Sequence, residues 1–342
     1  MRTLGEIFAS ICALLFVISS VVVLLLFNIE QKAFLSATYK QAFEDQRLYE
    51  RMPAILANAL TTYLAETGIT MPFLQVLTVE DWQNNIALLL PPEELKAIAN
   101  NALDATFDYL NGRSSSAVIS LLPLKAQLAG ESGVQLVLQI LRRQPACTAE
   151  QLTQMALGFF GGQIALCNPP EQAIGLMMPF IQSQLQTITT LFPNEVTFIP
   201  GIATGTPDDP RLRLKAIRSA IKLTLFLPVL FLFGIAVFAV RSIRDLFIWW
   251  GWPLLFAGAI SVFVALLGAP VIGGILQLVI QTQGSFFIPP ALAATLAETA
   301  TAVARQMLTP VVIEGLIIAA VGLGMIILSI IVPRRQVVEI IQ

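Results

Sequence analysis

Four long stretches of this chain carry no charged residue: 7–27, 223–240, 246–297 and 315–332. A charge at the centre of a bilayer costs roughly 2.5–3.5 kcal/mol on insertion scales. Runs of this length are therefore what a hydrocarbon solvent selects, and roughly 20 residues suffice to cross its core. Composition agrees: 56% of the residues are hydrophobic and 12% charged, against about 25% charged in an ordinary soluble domain. The fold class expected is mainly α, a four-span helical membrane protein with a helical extracytoplasmic domain between spans 1 and 2.

The first run reads as an uncleaved anchor within residues 1–29. It exceeds a signal-peptide core, and no small-residue cleavage site follows at Phe27, Asn28 and Ile29. The other spans are expected near 223–240, 247–267 and 310–332, within a three-span block over 211–342. Trp249, Trp250 and Trp252 open the third span as interfacial anchors. Arg241, Arg244, Arg334 and Arg335 all fall on one side. The positive-inside rule makes that side cytoplasmic, which puts the chain in the cell membrane with both termini cytoplasmic and residues 30–210 outside. The basic stretch 211–222, with five cations and no acid, opposes this orientation, and charges beside a long translocated domain weigh less. The apolar outer loop 268–309 holds Pro270, Gly273, Gly274, Pro289 and Pro290 as expected breaks. Its residues 276–280 read as the end of a long third span or as an interfacial or re-entrant piece, and 291–308 as a helix feeding the fourth span.

Residues 30–210 read as one helical domain. Residues 33–65 predict a long helix continuing the first span, with Pro53 as a bend. Thr78 with Asp81, and Thr148 with Gln151, form capping boxes. Pro92, Glu93 and Glu94 suit a first turn, and Asn111-Gly112 a left-handed stop. Residues 123–143 and 170–191 predict further helices. Segments 118–121 and 196–199 read as extended and as candidates to pair.

The domain holds 17 acidic against 9 basic residues, a balance that argues against nucleic acid as a partner, because tracking its backbone needs an extended basic face. No histidine occurs in the chain, which removes Ser-His-Asp and His-zinc chemistry. No phosphate-cradling Gly-Lys-Ser/Thr loop occurs either. No catalytic, cofactor or metal residue is therefore assigned, and the chain is expected not to be an enzyme. Asp104 and Asp108 share a helix face, which reads as a cation site or as a solvated face. Cys147 and Cys167, each beside a proline turn, form a disulfide if the domain is extracytoplasmic or remain buried thiols if it is not. Cys12 reads as a small apolar residue. Glu314, about one turn inside the fourth span, is the most informative ionisable group, with Lys222 or Arg218 as expected partner. Ala257, Ser261, Ala265 and Ala269 on the third span, and Gly315 and Ala319 on the fourth, form stripes that permit close helix packing.

With its anchor, the stretch Asp108-Tyr109-Leu110-Asn111-Gly112, Cys147 with Cys167-Asn168-Pro169-Pro170, and the three-span block, the layout resembles uncharacterised bacterial multi-pass membrane proteins with a cysteine-paired helical extracytoplasmic domain. That resemblance implies no activity. The expected function is non-enzymatic binding of a protein or envelope partner by the outer domain, in contact with membrane lipid. The alternative is handling of a lipid or apolar ligand in a lateral cleft between loop 268–297 and the outer helices.

Overall fold

The computed structural model describes residues 2–67, 77–158, 167–201, 209–283 and 290–332. The fold is mainly helical, with a single two-stranded sheet among the described residues. It divides into two compact units: Met1–Thr38, Thr204–Leu276 and Glu298–Gln342 form the first, and Tyr39–Ala203 with Gln277–Ala297 the second.

Four helical stretches are long and apolar enough to cross a membrane: Thr3–Ala33, Pro210–Ala239, Ile243–Val279 and Leu292–Ile331. The first lies in α1 (Arg2–Ala33). The second is split at Leu225 into α10 (Pro210–Thr224) and α11 (Phe226–Ala239). Helices α1 and α11 run antiparallel: Phe8 stacks on Phe238 at 5.7 Å, and Cys12 packs against Gly234 further along. Phe16, Ile235 and Ala257 form the buried centre of this region.

The third and fourth stretches belong to α12 (Ile243–Gln283, 41 residues) and α13 (Pro290–Ile331, 42 residues). At 1.5 Å per residue each is about 60 Å long, twice the roughly 30 Å hydrocarbon core. Most of the expected loop 268–309 is thus helix. Residues 276–280 continue α12 without interruption, while Pro289 lies outside the described residues. Pro270 and Gly273-Gly274 do not break α12. An apolar helix beside a neighbour tolerates the bond that proline removes, and Gly273 sits where α12 meets Thr301 of α13.

The α12–α13 seam explains the small residues. Gly251, Gly258 and Ala265 recur every seven residues on α12, as do Thr301, Leu308, Gly315 and Gly322 on α13. Seven residues make two turns at 3.5 per turn, the period of a left-handed coil. Gly251 abuts Gly322, Gly258 abuts Gly315 and Ala319, and Gly268 abuts Leu308, which fixes an antiparallel register. Ala257, Ser261, Ala265 and Ala269 are all buried, as their four-residue spacing suggests.

The second unit holds α3 (Leu48–Thr67), α4 (Val79–Leu89), α5 (Pro92–Leu110), α6 (Leu122–Ala129), α7 (Glu131–Arg142), α8 (Ala149–Gly158) and α9 (Glu171–Leu191). Both expected capping boxes form. Asp81 and Thr78 bond reciprocally at the start of α4, and Gln151 and Thr148 at the start of α8. Gly112 takes φ 73° after α5, the left-handed backbone that glycine reaches at least cost. The continuous helix expected over 33–65 is three helices. α1 ends at Ala33, α2 spans Ser36–Asp45, and Arg47 breaks the path to α3 with φ 47°. The helix expected over 123–143 is likewise two, because Gly130 is extended between α6 and α7. Strand β1 (Ala117–Ser120) pairs antiparallel with β2 (Glu195–Ile199), with Val118 opposite Thr197 and Ser120 opposite Glu195. The glycine-rich stretch 159–162 and the linker 202–208 lie outside the described residues.

Candidate functional site

Within the first unit, the polar residues near one end of the spans meet in two places. Asn28 and Glu30 are two positions apart on α1 and so point about 200° apart at 3.6 residues per turn. Each faces a different helix. The Asn28 Nδ2 donates to Glu314 Oε2 at 2.7 Å and to the Leu24 carbonyl at 2.9 Å. The Arg218 Nε donates to Glu30 Oε1 at 2.7 Å, and its guanidinium lies 4.5 Å from the Phe34 ring centroid. Expected to face Lys222 or Arg218, Glu314 instead meets Asn28, while Arg218 closes on Glu30. Lys222 makes no ion pair among the described residues. Depth along a span can be read from sequence, but the direction in which α1 projects Asn28 and Glu30 cannot.

In the second unit Cys147 and Cys167 are disulfide-bonded, with their Cα atoms 4.9 Å apart. The bond is seated in a core of Val134, Met177 and Ile181, which ties α7 to α9. Backbone bonds reinforce the closure: Cys147 N donates to Asn168 O at 3.0 Å, and Asn168 N to Pro145 O at 2.8 Å. Several acidic side chains of this unit are held in ion pairs. Asp104 binds Lys40 at 2.6 Å, Asp108 binds Arg113 at 2.8 Å and Glu44 binds Lys96 at 2.8 Å. Among the described residues no group of three His, Cys, Asp or Glu side chains could hold a metal ion.

A polar pocket of about 340 Å³ opens between α4 and α7, lined by Leu77, Asp81, Asn84, Asn85, Gln139, Arg142 and Arg143. Asp81 is nearly buried and accepts from the Thr78 backbone (2.9 Å), the Thr78 hydroxyl (2.8 Å) and the Arg143 guanidinium. Burial pushes its carboxyl upward, but these donors outweigh burial and hold it below the ordinary carboxylate value of 3.8. A carboxyl lowered by folding contributes stability that is fully present above its unfolded pKa and is lost as pH falls through the folded one. An Asp81→Asn variant is thus expected to be less stable than the parent by a constant margin at neutral pH. That margin should shrink once pH drops below about 3.8. Unfolding midpoints of both proteins across an acid series test it; a margin independent of pH would contradict the assignment.

A second surface lies on α9 and β2. Of α9, only Met177, Ile181 and Thr189 are buried, a narrow stripe at four- and eight-residue spacing. Ala173, Ile174, Phe180 and Leu185 are half-buried, Leu185 against the disulfide core, and the other positions are exposed, with Glu171 as the helix's single charge. Leu176 is 84% and Leu191 81% exposed. Strand β2 follows directly, with Val196 and Phe198 both 39% exposed, and a register slip leaves Phe198 without a partner on β1. The two-stranded sheet has the order β1-β2, so one edge of β2 pairs with β1 and the other has no strand partner among the described residues.

In the first unit, a crevice of about 570 Å³ separates α1 from α12 and is almost wholly apolar. Its walls include Ala13, Leu14, Val17, Trp252, Phe256 and Ile260.

The fold defines a multi-pass helical membrane protein with a disulfide-closed helical unit. No family model matches the chain, and no curated protein or solved structure matches it.

Proposed function

We propose that this protein is a non-enzymatic, membrane-anchored binding module. Its helical domain, residues 30–210, lies outside the cytoplasm and captures a protein or envelope partner by strand addition at β2. The observation that carries this reading is the open edge of β2. A strand lacking one neighbour offers a row of backbone donors and acceptors that templates an extended segment. Side-chain pockets at alternate positions then supply selectivity. Beside it, α9 presents an exposed surface with almost no charge, and apolar surface of that kind marks interaction sites.

The Cys147–Cys167 bond supports the extracytoplasmic placement, since disulfides persist in oxidising compartments. Maleimide labelling of intact cells tests it. Cys147 and Cys167 are expected to react from outside only after reduction, whereas labelling that requires permeabilisation would invert the topology. For the partner, a photocrosslinking residue at Val196 is expected to give an adduct that disappears with Phe198→Asp and is weakened by Leu176→Asp. An adduct insensitive to Phe198→Asp would remove β2 from the interface.

The α1–α12 crevice favours a second reading, lipid handling. Its size lies within the roughly 300–1,000 Å³ of small-molecule sites, and its lining suits an acyl chain. Filling it with Ala13→Trp is expected to strip copurifying lipid seen by native mass spectrometry; unchanged retention would exclude the crevice.

A further inference from the structure

The α4–α7 pocket has a feature that neither partner binding nor lipid handling uses. Asn85 lies at its floor and is 3% exposed. Its carboxamide makes no hydrogen bond among the described residues. A carboxamide without a protein partner at the wall of a cavity keeps its donors and its acceptor free for whatever occupies that cavity. Here the carboxamide lines a cavity whose other walls, Leu77 apart, are polar.

The lining defines what fits. Leu77 is the only apolar side chain among the seven, so an acyl chain or aromatic body has little to pack against. Asp81 and Arg143 already neutralise one another. Arg142, also at the wall, makes no ion pair among the described residues. The pocket therefore carries one uncompensated positive charge, with Asn84, Asn85 and Gln139 amides around it. Arginine is suited to carboxylate and phosphate because its planar fork can donate two parallel bonds. A volume of about 340 Å³ lies at the small end of ligand sites.

We propose that this pocket is a binding site for a small polar anion, a carboxylate- or phosphate-bearing solute. Arg142 grips the anionic group, and the Asn85 carboxamide supplies a donor and an acceptor from the floor. The site is formed within the second unit alone and does not depend on β2.

The full-length protein in phosphatidylcholine nanodiscs, titrated calorimetrically with succinate and separately with inorganic phosphate in physiological chloride, tests the site. Saturable binding of at least one probe with a Kd of about 1 mM or tighter is expected, and which probe binds identifies the anionic group. Arg142→Ala and Asn85→Leu should each weaken it at least about tenfold. Arg113→Ala, which removes a cation outside the pocket, should leave it unchanged. Thermal unfolding gives an independent readout. Asn85→Leu replaces an unpaired buried amide with an apolar side chain of similar size, so its Tm is expected to equal or exceed the parent's. Absence of binding by either probe at about 10 mM, equal binding by Arg142→Ala, or a marked fall in Tm with Asn85→Leu would each overturn the proposal. The last outcome would make Asn85 a structural residue.

Discussion

Gly258→Leu is expected to separate α12 from α13 and to cause the largest loss of stability of any single substitution in the first unit. A methyl group at Gly258 would lie 2.5 Å from Ala319 N and 2.9 Å from Ala319 Cα, and would also meet the Gly315 carbonyl. These are backbone atoms, which cannot rotate away as a side chain does. The same holds at Gly322, whose added methyl would meet Leu255 N at 2.5 Å. A leucine must therefore push the helices apart along a seam of small side chains. Between membrane helices there is no hydrophobic drive to close the gap, because lipid tails are as apolar as leucine. Overpacking of a well-filled contact costs typically 1–3 kcal/mol and sometimes more, and the backbone clash places this case near the top of that range, about 3 kcal/mol. Thermal unfolding in nanodiscs should show a clear drop in midpoint for Gly258→Leu. Gly324→Leu is the matched control: it adds the same side chain on the same helix pair, with no heavy atom within 4 Å of the new methyl. Equal midpoints for the two variants would refute the seam.

Reduction of Cys147–Cys167 is expected to produce the second large effect, confined to the second unit. The bond closes a loop of 20 residues, and the chain-entropy relation gives about 3 kcal/mol for a loop of this length. Packing adds to the consequence. Cys167 sits almost fully buried among Val134, Met177 and Ile181, and Val137, Leu138 and Leu185 flank the same cluster. Releasing it frees the start of α9 from α7. The domain should unfold at a lower denaturant midpoint in reductant, and a Cys147→Ala, Cys167→Ala double variant should match the reduced protein and ignore reductant. A parent midpoint that reductant leaves in place would show that the backbone bonds at Asn168 and the core suffice without the crosslink.

The two effects separate what each unit relies on. The first unit depends on close approach of backbones, where added volume is the damaging change. The second depends on a closed loop over a small apolar core, where added freedom is.

Local signals in the chain were legible. Thr78 with Asp81, Thr148 with Gln151, and Asn111-Gly112 mark helix ends because caps are short-range chemistry, set by side chains within three residues of the backbone groups they satisfy. Residues 118–121 and 196–199 announce extended segments by β-branched composition, and they do pair. Misreadings came where one local signal has two meanings. Pro270 and Gly273-Gly274 resemble breaks, yet glycine on a helix seam permits close packing as readily as glycine in a loop permits a turn. Gly130 and Arg47 interrupt helices that periodicity alone carries through. Nothing in the spacing of Asn85, Gln139 and Arg142 suggests that they line one pocket, since 54 positions separate the first two.

By itself, the sequence determined the solvent of each part of this protein. Charge-free runs of 18 or more residues mark helices long and apolar enough to cross a bilayer, and the absence of histidine removes Ser-His-Asp and His-zinc chemistry whatever the fold. Tertiary structure alone decided who meets whom. Glu314 finds Asn28 and Arg218 finds Glu30 because the turn of α1 points two neighbouring residues at different helices. Asn85 is left beside Arg142 without a partner because α4 and α7 pack with a gap between them. Burial and periodicity are properties of a segment and can be read along the chain; a pocket is a property of the space between segments and exists only once they are packed.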